Sequence, residues 1–128
     1  MATWLITGCS TGLGRAFAEA VLARGENVVA TARDASKVAD LAEAHPDTAL
    51  ALALDVTDDD QVTSVVKAAE DRFGGVDVLV NNAGYGYRAA LEEGEDADVR
   101  QLFETHVFGT VRTAKAVLPG MRARRSGT

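Results

Sequence analysis

The chain has a single cysteine, no long apolar run and too few cations to balance its acids, and each shortage removes a class of protein. Cys9 has no second cysteine to pair with, which rules out an internal disulfide and fits a reducing cytoplasm. The longest uninterrupted apolar stretch, Ala49 to Leu54, is far shorter than the about 20 residues that a membrane-crossing helix requires. The N-terminus runs directly into a strand pattern, leaving no room for a signal peptide. Lysine and arginine number 13 against 19 acids, and the formal charge of −6 opposes binding to a phosphate backbone. The only basic cluster, Arg122, Arg124 and Arg125, falls at a predicted helix end, where cations suit the helix dipole. Low-complexity tracts are absent, and so are repeats beyond an alternation of strand and helix. The expectation is a cytoplasmic protein with neither a nucleic-acid nor a membrane partner. At 128 residues it forms one domain, residues 1–128, with room for a core but small for an α/β enzyme.

Four short segments read as strands apolar on both faces, as buried parallel strands are: Thr3–Thr7, Asn27–Ala32, Ala49–Val56 and Val76–Asn81. Helical patterns follow each of them. Leu13, Ala16, Phe17, Ala20 and Val21 recur at helical spacing, with Gly25 at the stop. Ser36 is placed to cap a second helix reaching about His45, ended by Pro46. Val62, Val65, Val66, Ala69 and Phe73 form one stripe closed by Gly74-Gly75. Gly84 to Asp98 reads as loop with one short helix. A last helix is expected from about Val99 to Met121, its inner face carrying Leu102, Phe103, His106, Val107, Val111, Ala114, Val117 and Leu118, with Pro119 bending or stopping it. This alternation implies right-handed crossovers and a doubly wound, Rossmann-type α/β sheet of parallel strands in the order 3-2-1-4.

The richest local signal lies between the first strand and the first helix, in Thr7-Gly8-Cys9-Ser10-Thr11-Gly12-Leu13-Gly14. Gly8 permits a sharp turn, Gly12 a close approach of backbone to ligand, and Gly14 close packing of helix on strand. Free N–H groups at the helix start, backed by its dipole, suit a pyrophosphate. Glycine clusters are usually ordinary turns, but the strand-loop-helix context favours nucleotide binding. At the end of the second strand the chain reads Ala30-Thr31-Ala32-Arg33-Asp34. An acid there holds a ribose 2′-hydroxyl, whereas an arginine accommodates a 2′-phosphate. Ala32 stands where the acid belongs and Arg33 follows, so NADP is favoured; a merely surface Arg33 and a role for Asp34 keep NAD open. Asp55-Val56-Thr57 and Asn81-Asn82-Ala83-Gly84 close the next two strands, at the same carboxyl edge of the sheet.

These motifs, together with Phe108-Gly109-Thr110 and Leu118-Pro119-Gly120-Met121, closely resemble the short-chain dehydrogenase/reductase family over essentially the whole chain. The resemblance implies an oxidoreductase moving hydride between NADP(H) and a small alcohol or carbonyl substrate. It implies that the Gly8–Gly14 loop holds the pyrophosphate and nearby ribose, helped by Ser10 and Thr11, with Leu13 beside them. It further implies that Arg33 meets the 2′-phosphate and Asp55 the adenine amino group, with Val56 beside the ring. Asn82, Ala83 and Gly84 line the adenosine side, while Asn81 braces the sheet. The long helix resembles the family's subunit-pairing surface, which implies a homo-oligomer.

Two departures qualify the resemblance. The family's helix carries an asparagine of the catalytic tetrad where this chain has His106. A histidine there either holds a water and relays a proton or is satisfied locally. The family's other catalytic groups are a serine after a fifth strand and a tyrosine followed four residues later by a lysine, which lowers the tyrosine pKa. Four residues beyond Tyr85 and Tyr87 stand Ala89 and Leu91, and none of Ser10, Ser36, Ser64 and Ser126 follows a fifth strand. The expectation is the cofactor-binding part of a dehydrogenase, truncated after about four strands and inactive alone; the alternative is a non-catalytic NADP(H)-binding sensor or interaction protein. An open edge at the fourth strand and the apolar stripe of the long helix lead us to expect self-association. No metal site is expected.

Overall fold

The computed structural model describes residues 1–128 and contains four strands, β1 (Thr3–Ile6), β2 (Asn27–Ala32), β3 (Ala49–Ala53) and β4 (Val78–Val80). All pair in parallel, in the order β3-β2-β1-β4. The register pairs Leu5 with Val29 on one side and with Leu79 on the other. Because successive residues of a strand point to opposite faces, neighbours feed separate cores. Leu5 and Val29 join the core under α3 (Asp59–Phe73) and α5 (Thr110–Arg124). Ile6, Val28 and Ala30 join the core under α1 (Gly12–Ala23) and α2 (Ala39–Ala44). Val28 and Val29 are both fully buried, as expected of a strand covered on both faces. The doubly wound sheet and its strand order are those expected.

Several boundaries differ from the sequence-based expectation. β3 stops at Ala53, short of Val56: after Leu54 N donates to Ala32 O at 2.8 Å, the Asp55 side chain draws the chain into a turn by accepting from Thr57 N. β4 spans only Val78–Val80, because β1, its partner, ends at Ile6. Ser36 does not cap α2, which starts after Val38 with no side-chain capping bond. Asp34 instead caps a single 3-10 turn, Ala35–Lys37, its carboxylate accepting from Ser36 N at 3.0 Å and from Ser36 Oγ at 2.7 Å. In α1 the buried side is Gly14, Ala18, Val21 and Leu22, while Leu13 and Phe17 are exposed. Gly14 and Ala18 let the first turns of the helix lie close on the sheet, while Val21 and Leu22 fill the core further along.

The last helix shows the largest difference. It begins at Asp96 with α4 (Asp96–Phe103), widens to a π-helical segment over Glu104–Gly109 and continues as α5, passing Pro119 without stopping. Its buried face is Gly109, Thr113, Val117 and Met121, one residue every four. Of the residues expected inside, Leu102 and Ala114 are half-buried, whereas Phe103, His106, Val107, Val111 and Leu118 are exposed. Gly109 explains the choice, because a Cβ there would press on the Val56 side chain. The helix therefore approaches through Gly109, packs Val117 and Met121 into the core, and turns Phe103, Val107, Phe108, Val111 and Leu118 outward. The open edge of β4 is not bare: Thr128 N donates to Asp77 O and Leu79 N donates to Thr128 O, both at 2.9 Å, as in a parallel ladder.

α3 owes its start to Asp58, whose carboxylate accepts from Asp60 N at 3.0 Å and Gln61 N at 3.1 Å. Removing such a cap costs about 1 kcal/mol. Asp58→Ala is therefore expected to lower the melting temperature by roughly 4 °C in a chain this size; an unchanged melt would show that the cap is dispensable.

Candidate cofactor site

The carboxyl ends of β1 and β4 are joined by a small polar network around Thr7 and Asn82. Asn82 N and Ala83 N donate to Thr7 Oγ1 at 3.0 and 2.9 Å. In return, Asn82 Nδ2 donates to Thr7 O at 3.1 Å and to Gly8 O at 3.0 Å. The turn after β1 is thus fixed to the turn after β4, at the point where strand order reverses. Gly8 has φ +71°, a left-handed conformation that favours glycine. Gly14 is required by contact: an added Cβ would run into the Gly8 carbonyl and the Asn82 amide. Thr11 precedes α1 with an extended backbone and makes no side-chain capping bond, so the protein leaves first-turn N–H groups available.

Beside this network lies a cleft of about 630 Å³. Of the residues singled out in the sequence, Gly8, Ser10, Thr11, Leu13, Arg33, Asp55, Val56, Asn82, Ala83 and Gly84 line it. Gly12 and Gly14 do not: Gly14 is buried behind the loop, and Gly12 shapes it through φ +62°. His106 is also outside the lining, although the preceding turn of its helix contributes Gln101 and Thr105. Those two, with Ala32, Leu54 and Tyr85, are what the sequence reading missed; the four-residue spacing of Gln101 and Thr105 on one helix was the available signal. Asn81 points elsewhere and accepts from Thr113 Oγ1 at 2.6 Å, bracing β4 against α5.

The cleft carries both signs of charge. Hydrogen bonds from Thr57 Oγ1 (2.7 Å) and Thr57 N (2.9 Å) hold the Asp55 carboxyl below the usual carboxylate range, with the positive charges of Arg33 and Arg112 adding to the effect. Both bonds fall on one carboxylate oxygen, Oδ1. Arg33 is exposed at the end of β2, on the cleft wall. Arg112 ties the far side together, donating to Val56 O at 2.8 Å and Glu104 Oε1 at 3.0 Å and pairing with Asp59. Behind the loop, Cys9 is buried and its thiol donates to Ile6 O at 3.2 Å. The glycine cradle, the uncapped helix start and Arg33 together fit a phosphorylated dinucleotide. Among these residues there is no cluster of histidine, cysteine and carboxylates to hold a metal, and no helix is long and apolar enough to cross a membrane.

Parallel strands ordered 3-2-1-4, with a glycine-bearing turn at the reversal point, define a Rossmann-type domain. The family model described as short chain dehydrogenase matches residues 2–128, and the chain belongs to that family of oxidoreductases. It is 43% identical over 125 residues to the oxidoreductase BOA17 of Botryotinia fuckeliana, matching 97% of this chain and 46% of that protein. A short-chain dehydrogenase from Streptomyces avermitilis superposes with a TM-score of 0.94 at 49% identity, over 99% of this chain and 48% of the other. A gluconate 5-dehydrogenase from Burkholderia cenocepacia, solved in complex with NADP and tartrate, superposes with a TM-score of 0.89 at 34% identity, over 98% of this chain and 51% of the other. The chain thus spans about half the length of the relatives it matches.

Burial pushes the Cys9 thiol up to about 11, above the ordinary 9.0. A raised pKa in the fold means that the unfolded thiol ionises first, so this contribution to stability is intact below pH 9 and lost as pH rises toward 11. Wild type is expected to lose more stability over that range than Cys9→Ala. At pH 8 a thiol reagent is expected to modify the native chain far more slowly than the urea-unfolded chain; equal rates would contradict the burial.

Proposed function

We propose that this chain is the cofactor-binding part of an oxidoreductase that moves hydride between NADP(H) and a small alcohol or carbonyl substrate. The nicotinamide supplies the hydride chemistry; the residues of this chain bind and orient the cofactor. The Gly8–Leu13 turn, with Ser10 and Thr11, holds the pyrophosphate side. Asp55 and Val56 form the adenine side, and Asn82, Ala83 and Gly84 the wall between them. The observation that carries NADP over NAD is Arg33 on the cleft wall at the end of β2, where Ala32 offers no carboxylate to a ribose 2′-hydroxyl. Asp34 is not among the residues lining the cleft, and one of its carboxylate oxygens is engaged by Ser36.

The whole enzyme's tyrosine and lysine are not among residues 1–128, which contain no tyrosine with a lysine four positions on. On this reading the chain alone binds cofactor without turning over substrate. A single buried cysteine suits a cytoplasmic protein. The exposed apolar side chains Phe103, Val107, Phe108, Val111 and Leu118 support pairing with a second copy through the long helix. Sedimentation of the purified chain is expected to give a species larger than a monomer, and Val111→Glu with Phe108→Glu to shift it toward monomer; a monodisperse wild-type monomer contradicts the pairing.

The cofactor reading is tested by titrating the chain with NADPH and NADH while following nicotinamide fluorescence. NADPH is expected to bind more tightly. Arg33→Ala is expected to weaken NADPH about tenfold or more, the scale of a lost charge-assisted hydrogen bond, and to leave NADH nearly unchanged. Equal affinities in wild type, or a loss shared by both cofactors, would contradict the assignment of Arg33.

A further inference from the structure

His106 stands apart from the cleft lining yet is bound to it. Its Nε2 lies 3.0 Å from Tyr85 N and 2.7 Å from Tyr85 O, in the segment that follows β4. Its ring occupies the space that a side chain at residue 84 would fill, so that a Cβ on Gly84 would collide with Cε1. Gly84 is not in a left-handed conformation, so contact with the His106 ring is what an alanine there would meet. Gly84 and Tyr85 both line the cleft. His106 itself sits in the π-helical segment, where the helix is locally widened and the ring is carried toward that wall.

We propose that His106 is a positioning residue. It fixes the Gly84–Tyr85 wall of the cleft by filling the space beside Gly84 and bonding the Tyr85 backbone, and its effect on cofactor rests on the dinucleotide site proposed for this cleft. One imidazole nitrogen facing both a donor and an acceptor serves only one at a time. With a lone pair on Nε2 it accepts from Tyr85 N–H, and with a proton there it donates to Tyr85 C=O. An asparagine side chain carries an acceptor and a donor together and has the groups to serve both. This chain therefore holds the wall through ring bulk and one hydrogen bond, which makes residues 84 and 106 a matched pair.

The test combines amide exchange of Tyr85 in the isotope-labelled chain, NADPH titration, and thermal melts of Gly84→Ala in two backgrounds. His106→Ala is expected to speed Tyr85 exchange and to weaken NADPH by about three- to tenfold, as loss of one hydrogen bond does. His106→Asn is expected to keep both near wild type. Gly84→Ala is expected to lower the melting temperature with histidine at 106 and to cost much less beside His106→Ala. If His106→Ala does not fold, His106→Leu, which has bulk but no nitrogen, carries the exchange and titration comparison. Unchanged Tyr85 exchange, unchanged NADPH affinity, or an equal cost of Gly84→Ala in both backgrounds would overturn the proposal. A wild-type chain that binds neither NADPH nor NADH, while Tyr85 exchange still depends on His106, would overturn the cofactor reading and support the wall assignment.

Discussion

Two loops that belong to different strands must hold one shape for the cleft to exist, and the Thr7–Asn82 network is what makes them a single unit. Without it, the turn after β1 meets the end of β4 only through the backbone bond from Thr7 N to Val80 O, at 3.1 Å. With it, one threonine hydroxyl receives two backbone N–H groups and one asparagine amide donates to two carbonyls. Neutral hydrogen bonds of this kind contribute about 1 kcal/mol each, so the geometry they set matters more than the stability they add. Gly14 brings α1 close enough for the Asn82 amide to lie where a Cβ would stand. The helix start is thereby set before any ligand arrives, which reduces the ordering cost of binding.

The same reliance on small residues recurs across the sheet. α1 lies on one face through Gly14 and Ala18, and the long helix reaches the other side through Gly109, with Thr113, Val117 and Met121 following. Close approach buries β1 and β2 on both faces, and it turns Leu13, Phe17, Phe103, Phe108 and Val111 outward. At Leu13 that outward position is the cleft itself. Along the long helix it is a surface stripe. Arg112 then locks the helix to the turn after β3 through Val56 O and to the start of α3 through Asp59. Packing and site are thus shaped by one device, in which a glycine at the start of each buried face lets the helix come close and apolar side chains off that face turn outward.

The fold was legible because its signals are periodic and punctuated. Strands apolar on both faces, helices of 3.6 spacing and glycine stops each point to the same doubly wound sheet. What was not legible followed from local polar chemistry and from residue size. Asp34 drew Ser36 into a 3-10 turn ahead of α2, and Asp55 ended β3 early by bonding Thr57, events decided by hydrogen bonds across two residues rather than by pattern. The inner face of the long helix was misread because apolar periodicity favours Phe103, Val107 and Val111, whereas the constraint was contact with Val56, which only Gly109 satisfies. In the cleft, the glycine turn, Arg33, Asp55 and Asn82 to Gly84 stand out in sequence as strand-end motifs. Gln101 and Thr105 share only a four-residue spacing, and it is the three-dimensional approach of their helix that brings them to the wall; Tyr85, in the segment after β4, carries no motif.

The central claim is that the coupling of Thr7 to Asn82 preforms the cradle for a dinucleotide. The most direct measurement is a double-mutant cycle on NADPH affinity with Thr7→Val, Asn82→Ala and the combined variant, in a chain whose folding is checked by circular dichroism. If the two residues act as one unit, either substitution alone removes most of the effect. The combined variant then falls short of additivity by about 1 kcal/mol or more. Additive losses, agreeing within about 0.5 kcal/mol, would mean that the two turns are set independently and that no coupled network preforms the cradle.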